Sequence, residues 1–329
     1  MALNSQLLDQ IGVVCRRKGR ARSTYKTYRH WCEQYLRWLR KPDGTWTHPK
    51  DTAEPEVTGW LTELANRRNV SPTSQNVAFQ SVLFLFREVI GRELHNVQAL
   101  RAKRPQRIPT VLSVPEVSRL LAELKGRDRI IGQLLYGCGM RIGEAVSLRI
   151  KDIDTDSRQI VIRQAKGAKD RAVGMPSALQ EPLTHQIETA AALHRQDVDA
   201  GTNRVELPYS YGRKSPTAAG SLAWFWLFPS HKLSRHPVEK WIGRYHIDKG
   251  NFARSMRLAG RRAGIHKHCN THCLRHSYAT HSLNQGVDIR SLQKLLGHND
   301  VRTTMIYTHV ELAGATSEQS PLDRLPNAS

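Results

Sequence analysis

The sequence predicts a mainly α-helical protein with a small antiparallel sheet (α+β), divided into two domains. Apolar residues recur at helical spacing over most of the chain. Two short runs of β-forming residues flank a glycine-containing turn, and one basic stretch with two prolines follows neither pattern. With 329 residues, of which 39% are hydrophobic, the chain is long enough for two hydrophobic cores.

The first domain is expected to consist of helices. Apolar and aromatic side chains recur every three or four positions over residues 25–39, where Ser23 is the expected N-cap. A second helix contains Trp60, and a third begins at Ser71, a capping residue followed by proline. These patterns predict a small helical bundle over residues 1–104.

A basic stretch separates this bundle from the rest of the chain. Residues 101–109 contain two prolines and several Lys and Arg, with no hydrophobic period, so we expect an extended linker at 105–112. The second domain is then predicted over residues 113–329. It opens with a capping box formed by Ser113 and Glu116, which predicts the start of a helix.

Within the second domain, one hairpin interrupts the helices. Its strands are predicted at 159–163 and 171–175, and the basic turn between them contains Lys166. Residues 201–228 are irregular and rich in Pro, Gly and aromatic residues. Helices are expected from there to about residue 310.

The chain is strongly basic, with 50 Lys and Arg against 29 Asp and Glu and a formal net charge of +21 at pH 7. Such an excess favours a polyanionic partner, of which nucleic acid is the first candidate. The N-terminus lacks the apolar run of a signal peptide, and no run is long enough to span a membrane. Five scattered cysteines fit a reducing compartment, so we expect a cytoplasmic protein with no membrane partner.

The usual sequence motifs for cofactors and metals are absent. The chain has no GxxxxGK[ST] phosphate loop, no HExxH motif and no GxGxxG motif. The run from His268 to Cys273 resembles a zinc-binding cluster, but no second pair of ligands accompanies it. We therefore expect neither a metal nor a cofactor.

The basic second domain contains several side chains suited to phosphate chemistry. Arg141 and Glu144 are three residues apart, as are His272 and Arg275, so each pair lies on one face of a helix. Taken alone, the first pair is equally well explained as a surface ion pair, and a lone tyrosine is usually a core residue. Considered together, the candidates are two arginines, a lysine, two histidines and a tyrosine: Arg141, Lys166, His272, Arg275, His298 and Tyr307.

This set suits cleavage of a phosphodiester without a metal. The reaction needs positive charge beside the pentacoordinate phosphorus, a nucleophile, and a proton for the leaving oxygen. Two guanidinium groups can bind the nonbridging oxygens through paired N–H donors, which an ammonium group does less well. The same cations are expected to lower the pKa of the tyrosine, whose attack would conserve the bond energy as an aryl phosphodiester without ATP.

The motifs around these residues resemble those of the tyrosine recombinases, in the family's order. They are GCGMRIGEAVSL with Arg141, the turn with Lys166, HCLRHSYATH with His272, and LGHNDVRTTMIYTH with His298 and Tyr307. The resemblance implies a helical core-binding domain followed by a catalytic domain that breaks and rejoins DNA. It also implies a homotetramer on two synapsed DNA sites.

The resemblance implies a role for each side chain. Two arginines would bind the scissile phosphate and two histidines would assist proton transfer at it, namely Arg141 with Arg275 and His272 with His298. Lys166 would protonate the leaving 5′-oxygen, and Tyr307 would become linked to the 3′-phosphate. Glu144 would orient these side chains without itself contacting the phosphate.

Resemblance to one subgroup, the integron integrases, extends over almost the whole chain. Residues 84–91, 101–105 and 226–237 are similar to that subgroup, and residues 201–228 are similar to its additional inserted segment. Those enzymes integrate and excise gene cassettes at sites that include folded single strands with protruding bases. Four residues fall where the subgroup places its base-contacting side chains: Trp224, Pro237, Tyr245 and His246.

Tyr245 and Trp224 each allow a second interpretation. Tyr245 stands where many relatives have a histidine, and because tyrosine can still stack and donate one hydrogen bond, a changed base preference is expected. Trp224 is equally compatible with packing inside its own aromatic cluster.

Three other interpretations of the chain stay open. A phage-type or chromosome-resolving recombinase would act on duplex sites, although the segment 201–228 argues against it. A type IB topoisomerase uses similar chemistry without synapsis. A non-catalytic DNA-binding protein is disfavoured because all six candidate side chains are present.

Overall fold

The computed structural model describes residues 2–41, 44–95, 109–163, 170–208 and 211–307. The described residues are mostly helical and include two small antiparallel sheets, which confirms the predicted fold class. The chain divides into two compact units, residues 1–107 and 108–329. Of the linker predicted at 105–112, residues 105–108 lie outside the described residues. No helix in the described stretches is long and apolar enough to cross a membrane.

The first unit is a bundle of helices. They are α1 (Ala2–Arg17), α2 (Arg22–Trp38), α3 (Glu54–Asn66) and α4 (Pro72–Phe84). The α4 helix begins as predicted, with the Ser71 hydroxyl accepting a hydrogen bond from the Ser74 N–H. The N-cap predicted at Ser23 is wrong, because Ala21, two residues earlier, occupies the cap position and α2 begins at Arg22. Helix starts shift readily by a residue or two.

The α2 helix buries one face and leaves its basic residues outside. Tyr35 is fully buried, and its ring lies against Trp60 of α3 with 5.2 Å between the ring centroids. The basic residues of this region are exposed: Lys26, Arg29, Arg37 and Arg40. The amphipathic pattern therefore packs the aromatic side and presents positive charge to solvent.

The second unit combines helices with two small sheets. Its elements are α5 (Val114–Glu123), α6 (Gly126–Gly137), α7 (Ile142–Val146), β1 (Ile153–Asp154), β2 (Gln159–Ile162), β3 (Arg171–Gly174), α8 (Ser177–Asp199), α9 (Tyr211–Lys214), β4 (Pro229–Arg235), β5 (Ile242–His246), α10 (Lys249–Arg262), α11 (Thr271–Asn284), α12 (Ile289–Leu296) and α13 (Arg302–Met305). The capping box predicted for α5 is present. The Ser113 N–H donates to the Glu116 carboxylate, and the Glu116 N–H donates to the Ser113 hydroxyl.

The first sheet contains the predicted hairpin. Strands β1, β2 and β3 pair antiparallel in that order, and Ile160 stands opposite Val173. These two side chains are buried and join the main core of the unit. The turn of the hairpin, residues 164–169, lies outside the described residues, and with it the candidate Lys166.

The second sheet corrects the expectation of helices beyond residue 228. Strands β4 and β5 pair antiparallel there, and most side chains of β4 are exposed, so no alternating pattern marks the strand. Long-range contacts hold the hairpin instead. Arg244 of β5 forms an ion pair with Asp197 of α8 at 2.6 Å, and Gly243 packs against the Arg204 carbonyl, where a side chain would not fit.

The core of the second unit fixes the helix that carries much of the candidate site. The α11 helix packs against α6, and its Leu274 is fully buried in this core. Gly132 lets α6 approach α5 closely, because a Cβ there would lie 2.9 Å from Leu121 and 2.8 Å from Leu124. Leu274 of α11 lies 3.9 Å from the same point, so α5, α6 and α11 meet there in the core.

The irregular segment 201–228 is joined to the rest of the unit by backbone hydrogen bonds. The Leu227 N–H donates to the Leu148 carbonyl at 2.9 Å, and the Ile150 N–H donates to the Phe225 carbonyl at 3.1 Å. The end of the segment therefore pairs with residues 148–150 in the manner of a short strand.

Candidate active site

Arg141 and Glu144 form the centre of the site. Arg141 is the N-cap of α7, and Glu144 accepts hydrogen bonds from its backbone N–H at 2.9 Å and from its Nη1 at 2.7 Å. The Glu144 side chain is only 10% exposed, which excludes the surface ion pair that the spacing also allowed. One carboxylate thus fixes both the backbone and the side chain of Arg141.

Arg171 of β3 completes this ion-pair network. Its Nη2 and Nη1 donate to the two carboxylate oxygens of Glu144 at 2.8 and 3.2 Å. Burial raises the pKa of Glu144, but the hydrogen bonds and charges of Arg171 and Arg141 outweigh it, so the net pKa lies below its usual range. Glu144 is therefore ionised at neutral pH.

Arg275 of α11 approaches the same carboxylate, with its Nη1 4.0 Å from Glu144 Oε2. It is buried, and it donates to the carbonyls of Gly139 and Leu296, the latter at 2.7 Å. Burial, together with the nearby charge of Arg141, lowers the pKa of Arg275 to about 10, which leaves it protonated at neutral pH. Three guanidinium groups thus face one carboxylate, and the excess positive charge suits an anionic ligand.

The carbonyls at the C-terminus of α12 hold all three of these guanidinium groups, and that of Leu295 accepts from Arg171 Nε at 2.9 Å. The Leu296 carbonyl accepts from Arg275, and the Gly297 carbonyl accepts from Arg141 Nη2 at 3.3 Å. Gly297 ends the helix in the left-handed conformation, with φ +62°. Carbonyls at a helix C-terminus carry partial negative charge and stabilise cations there.

Backbone conformation and a close contact explain why the second residue G of the GCGMR motif, at position 139, must be glycine. Gly139 has φ +59°, and a Cβ at this position would lie 2.5 Å from the Tyr278 ring. Its carbonyl also accepts a hydrogen bond from Arg275. The glycine therefore allows the chain to approach α11 closely enough to hold the buried arginine.

His298 is held in one tautomer by its two neighbours. Arg275 Nη2 lies 2.9 Å from His298 Nε2, and because a guanidinium only donates, Nε2 must accept. The proton is then on Nδ1, which donates to the Thr304 hydroxyl at 2.9 Å. Burial and the charges of Arg275 and Arg141 lower the pKa of His298 to about 4, so the ring is neutral at pH 7.

His272 occupies the first turn of α11. The Asn270 side chain caps this helix and accepts a hydrogen bond from the His272 N–H at 2.8 Å. Burial, with the charges of Arg275 and Arg141, lowers the pKa of His272 below its usual value. His272 lies one helical turn before Arg275, as the spacing predicted.

Tyr307 is buried, with 3% of its surface exposed, and its hydroxyl lies 2.9 Å from His276 Nδ1. Its ring is nearly parallel to that of His298, with 6.4 Å between centroids. The expected lowering of its pKa is wrong for this structure. Arg275 and Arg141 do act in that direction, but burial outweighs them and raises the pKa of Tyr307 above its usual value.

The structure thus brings together five of the six residues in the candidate set: Arg141, His272, Arg275, His298 and Tyr307. Lys166 lies outside the described residues. Sequence reasoning missed Arg171 and His276. The position of His276, four residues after His272 on the same helix face, could have identified it, whereas no local pattern links Arg171 to Glu144.

The proposed base-contacting residues are arranged differently. Trp224 is half-buried and packs on a small cluster with Phe225 and Trp226. Lys151 Nζ lies 2.9 Å from the centroid of the Trp224 ring, and the Tyr211 ring is 4.8 Å away, centroid to centroid. Trp224 is therefore neither a fully buried core residue nor a bare stacking surface.

The other three residues lie on the β4–β5 hairpin. Pro237 is in its turn and is half-buried. Tyr245 stacks with Trp241, whereas His246 packs edge-on against Trp226, 5.1 Å between centroids. Successive residues of a strand point to opposite faces, so Tyr245 and His246 do not share one surface.

Within the described residues, no group of three or more His, Cys, Asp or Glu side chains is placed to hold a metal ion. The charges gathered at Glu144 are instead positive. The arrangement can bind a phosphodiester between guanidinium groups and place a phenol and neutral imidazoles beside it.

Family models match both units of the chain. The model of the phage integrase family matches residues 110–313, and the model of the phage integrase N-terminal SAM-like domain matches residues 7–96. An "Integrase/recombinase" of Escherichia coli is 40% identical over 322 residues, covering 98% of this chain and 94% of that protein. The tyrosine recombinase XerA of Pyrococcus furiosus is 30% identical, covering 94% of this chain and 91% of its own.

Solved structures share the fold. The XerH site-specific recombinase bound to palindromic difH substrate, a post-cleavage complex, matches with a TM-score of 0.63 at 18% identity, over 97% of this chain and 86% of that one. The Tn1549 transposon integrase in complex with transposon right end DNA matches with a TM-score of 0.59 at 14% identity, over 92% and 94%.

Proposed function

This chain belongs to the phage integrase family and is a site-specific DNA recombinase of the tyrosine class, and from that premise we propose that Tyr307 is its nucleophile. The observation that carries the proposal is the position of Tyr307 beside His298 and Arg275, where three guanidinium groups face one carboxylate. A scissile phosphate would complete the charge balance of this site.

The proposed reaction conserves the phosphodiester energy. Tyr307 Oη attacks the phosphorus, the bond to the 5′-oxygen breaks, and the 3′-phosphate stays linked to the tyrosine. Lys166 donates the proton that the leaving 5′-oxygen needs. Attack by a 5′-hydroxyl of another strand then reverses the step and releases Tyr307, so neither ATP nor a metal takes part.

The remaining side chains of the site support this exchange. Arg141 and Arg275 bind the nonbridging oxygens, and their paired N–H donors stabilise the pentacoordinate phosphorus. His272 and His298 hydrogen-bond to the phosphate and assist proton transfer. To donate to the phosphate, His298 must release the hydrogen bond from Arg275 and carry a proton on Nε2, which is an acceptor in this structure. Glu144 orients Arg141.

The test is to trap the protein on DNA that carries a nick near the cleavage point. Loss of the short fragment prevents religation, so the covalent complex accumulates and mass spectrometry of its peptides identifies the linked residue. We expect the link at Tyr307. Tyr307→Phe should bind DNA as the wild type does and form no covalent complex. A covalent complex with that variant would place the nucleophile elsewhere.

We further propose that the DNA sites are those of gene cassettes and include folded single strands. The support is the segment 201–228, which pairs with residues 148–150, followed by a hairpin with exposed surfaces. Four residues would contact protruding bases: Trp224, Pro237, Tyr245 and His246. An aromatic side chain that stacks on an unpaired base contributes about 1–3 kcal/mol.

Cleavage of three matched substrates tests this narrower proposal. A hairpin with protruding bases should be cleaved faster than the same hairpin without them, and faster than the duplex. Equal cleavage of the duplex would support a phage-type or chromosome-resolving recombinase. Relaxation of supercoils by single protomers would support a topoisomerase, and binding without cleavage of any substrate would support a non-catalytic DNA-binding protein.

We propose a division of labour between the two domains. Residues 1–104 would bind DNA through the exposed basic side chains of the α2 region, and residues 113–329 would carry out the chemistry beyond a linker at 105–112. Four protomers would assemble on two synapsed sites in the cytoplasm. Sedimentation of the protein with one and with two equivalents of DNA sites would show whether four protomers join two sites.

A further inference from the structure

His276 is the histidine in hydrogen-bond contact with the proposed nucleophile. It lies one turn after His272 on α11, and its Nδ1 is 2.9 Å from Tyr307 Oη. The two rings are 5.5 Å apart, centroid to centroid, and inclined by 50°. This separation suits direct transfer of a proton between the two side chains.

The charge state of His276 suits an acceptor. Burial, with the proximity of His272 and Arg275, lowers the pKa of His276 to about 4, so the imidazole is neutral at pH 7. A neutral imidazole has one N–H and one nitrogen lone pair. In the tautomer protonated at Nε2, the Nδ1 lone pair accepts the hydrogen bond of the Tyr307 hydroxyl.

His298, whose ring also lies beside Tyr307, already has a hydrogen-bond partner for each of its ring nitrogens. His298 Nε2 accepts from Arg275, and its Nδ1 donates to Thr304. Its ring is stacked beside Tyr307 at 6.4 Å rather than pointing a nitrogen at the hydroxyl. The geometry therefore favours His276 as the group that receives the phenolic proton.

We propose that His276 is a catalytic residue that accepts the proton of Tyr307 as the tyrosine attacks DNA. The Oη–P bond forms, the bond from phosphorus to the 5′-oxygen breaks, and the phenolic proton passes to His276 Nδ1. The 5′-oxygen takes its proton from a separate acid. In the reverse step the imidazolium returns the proton to Oη. This inference rests on the proposed role of Tyr307.

The test uses His276→Asn, whose Oδ1 takes the place of Nδ1 and can accept a hydrogen bond but cannot take up a proton near neutral pH. His281→Asn is the matched control, because His281 lies on the same helix and makes the same kind of contact, Nδ1 to a tyrosine hydroxyl, with Tyr136 at 2.9 Å. The rate of covalent complex formation is measured in single turnover on nicked DNA from pH 6 to about 9.5.

We expect His276→Asn to slow this rate by about 10²–10⁴-fold at pH 7 with unchanged DNA affinity. The deficit should shrink by about tenfold per pH unit, because only tyrosine that is already ionised reacts in the variant. A 5′-bridging sulfur in the DNA, which leaves without a proton, should not restore the rate. His281→Asn should stay within a few-fold of the wild type.

Three results would overturn the inference. A near-normal rate with His276→Asn would mean that a hydrogen bond suffices and no proton is taken. A deficit that is constant with pH would indicate a structural role. Rescue by the 5′-sulfur would assign His276 to the leaving group.

Two further arms complete the experiment. If the asparagine variant does not fold, His276→Ala is assayed with added imidazole, which should accelerate it and leave His281→Ala unchanged; no acceleration would count against the inference. Tyr307→Phe runs in parallel. A covalent complex with Tyr307→Phe removes the proposed function itself, whereas no complex with Tyr307→Phe and a full rate with His276→Asn removes only this inference.

Discussion

Around Glu144, side chains from α7, β3, α11 and the chain after α12 meet in one network of hydrogen bonds and ion pairs, whereas on the β4–β5 hairpin the candidate residues Tyr245 and His246 lie on separate faces. In the network, Arg141 and Arg171 donate to the same carboxylate, that of Glu144, and Arg275 lies 4.0 Å from it. On the hairpin, the Tyr245 ring stacks on Trp241, whereas the His246 ring packs against Trp226. A substitution within the network is therefore expected to weaken the interactions of its neighbours as well. Substitutions at residues that do not interact are expected to have additive effects on the free energy.

The largest expected effect is on stability, through Glu144→Gln. Arg171 and Glu144 are each 10% exposed, and breaking a buried pair from one side costs about 3–5 kcal/mol of the free energy of unfolding. Urea unfolding should show this loss. The pKa of Glu144 is lower in the folded than in the unfolded protein, so its contribution is complete above about pH 4.3 and is lost as the pH falls through its folded pKa.

The control for this variant is Glu181→Gln, an exposed carboxylate on α8. It should change the free energy of unfolding by less than about 0.5 kcal/mol. The wild type should lose stability between pH 5 and pH 3 more steeply than Glu144→Gln. Parallel pH curves for the two proteins would mean that the carboxylate does not hold the network together.

The next effect in size concerns Arg141→Lys. The lysine keeps the charge but loses the paired donors, so the rate of DNA cleavage should fall by about 10²–10³-fold. Arg141 is 38% exposed, so the fold should tolerate the change. The measurement is single-turnover cleavage beside DNA affinity. A near-native rate would show that charge alone is enough at this position.

A smaller effect is expected for Trp224→Ala. If Trp224 stacks on a protruding base, the affinity of the variant for a hairpin with such a base should be about tenfold to a hundredfold lower than that of the wild type. Its affinity for a perfect duplex should hardly change. Leu222→Ala is the control, since Leu222 is an exposed residue of the same segment, two positions before Trp224, and has no proposed base contact. Equal losses on both substrates, with a large drop in melting temperature, would make Trp224 a packing residue.

The smallest expected effect is the coupling between two substitutions, which tests whether the base-contacting residues differ from the network around Glu144. The losses of hairpin affinity in Trp224→Ala and Tyr245→Ala should add to within about 0.3–0.5 kcal/mol in the double variant, because the Trp224 ring lies beside Tyr211 and the Tyr245 ring lies beside Trp241. Arg141→Lys with Glu144→Gln should cost far less activity than the product of the single losses, because both act on one network. A strong coupling between Trp224 and Tyr245 would show that the base-contacting residues form one site after all.

Local signals in the sequence were sufficient for much of the fold. The cap at Ser71, the capping box of Ser113 and the β2–β3 hairpin each depend on neighbouring residues, and each is confirmed. The β4–β5 hairpin was missed because an ion pair between Arg244 and Asp197, 47 positions apart, stabilises it in place of an alternating pattern.

The candidate site shows the same division. His272 and Arg275 lie one turn apart on a helix, as their spacing predicts. Arg171 was missed because its partner Glu144 is 27 positions away and only the fold brings them together. The pKa of Tyr307 was predicted in the wrong direction because cations can be counted in a sequence, whereas burial cannot.

The contacts of Arg149 determine which residues the segment 201–228 needs outside itself. Its guanidinium donates to the carbonyls of Trp224 and Glu206 and lies 3.9 Å from the Trp226 ring centroid. The segment 201–228 is therefore seated on an arginine that lies outside it in the sequence. Transplanting the segment into another protein would therefore require residues 148–150 to be transferred with it, because their hydrogen bonds hold it in place.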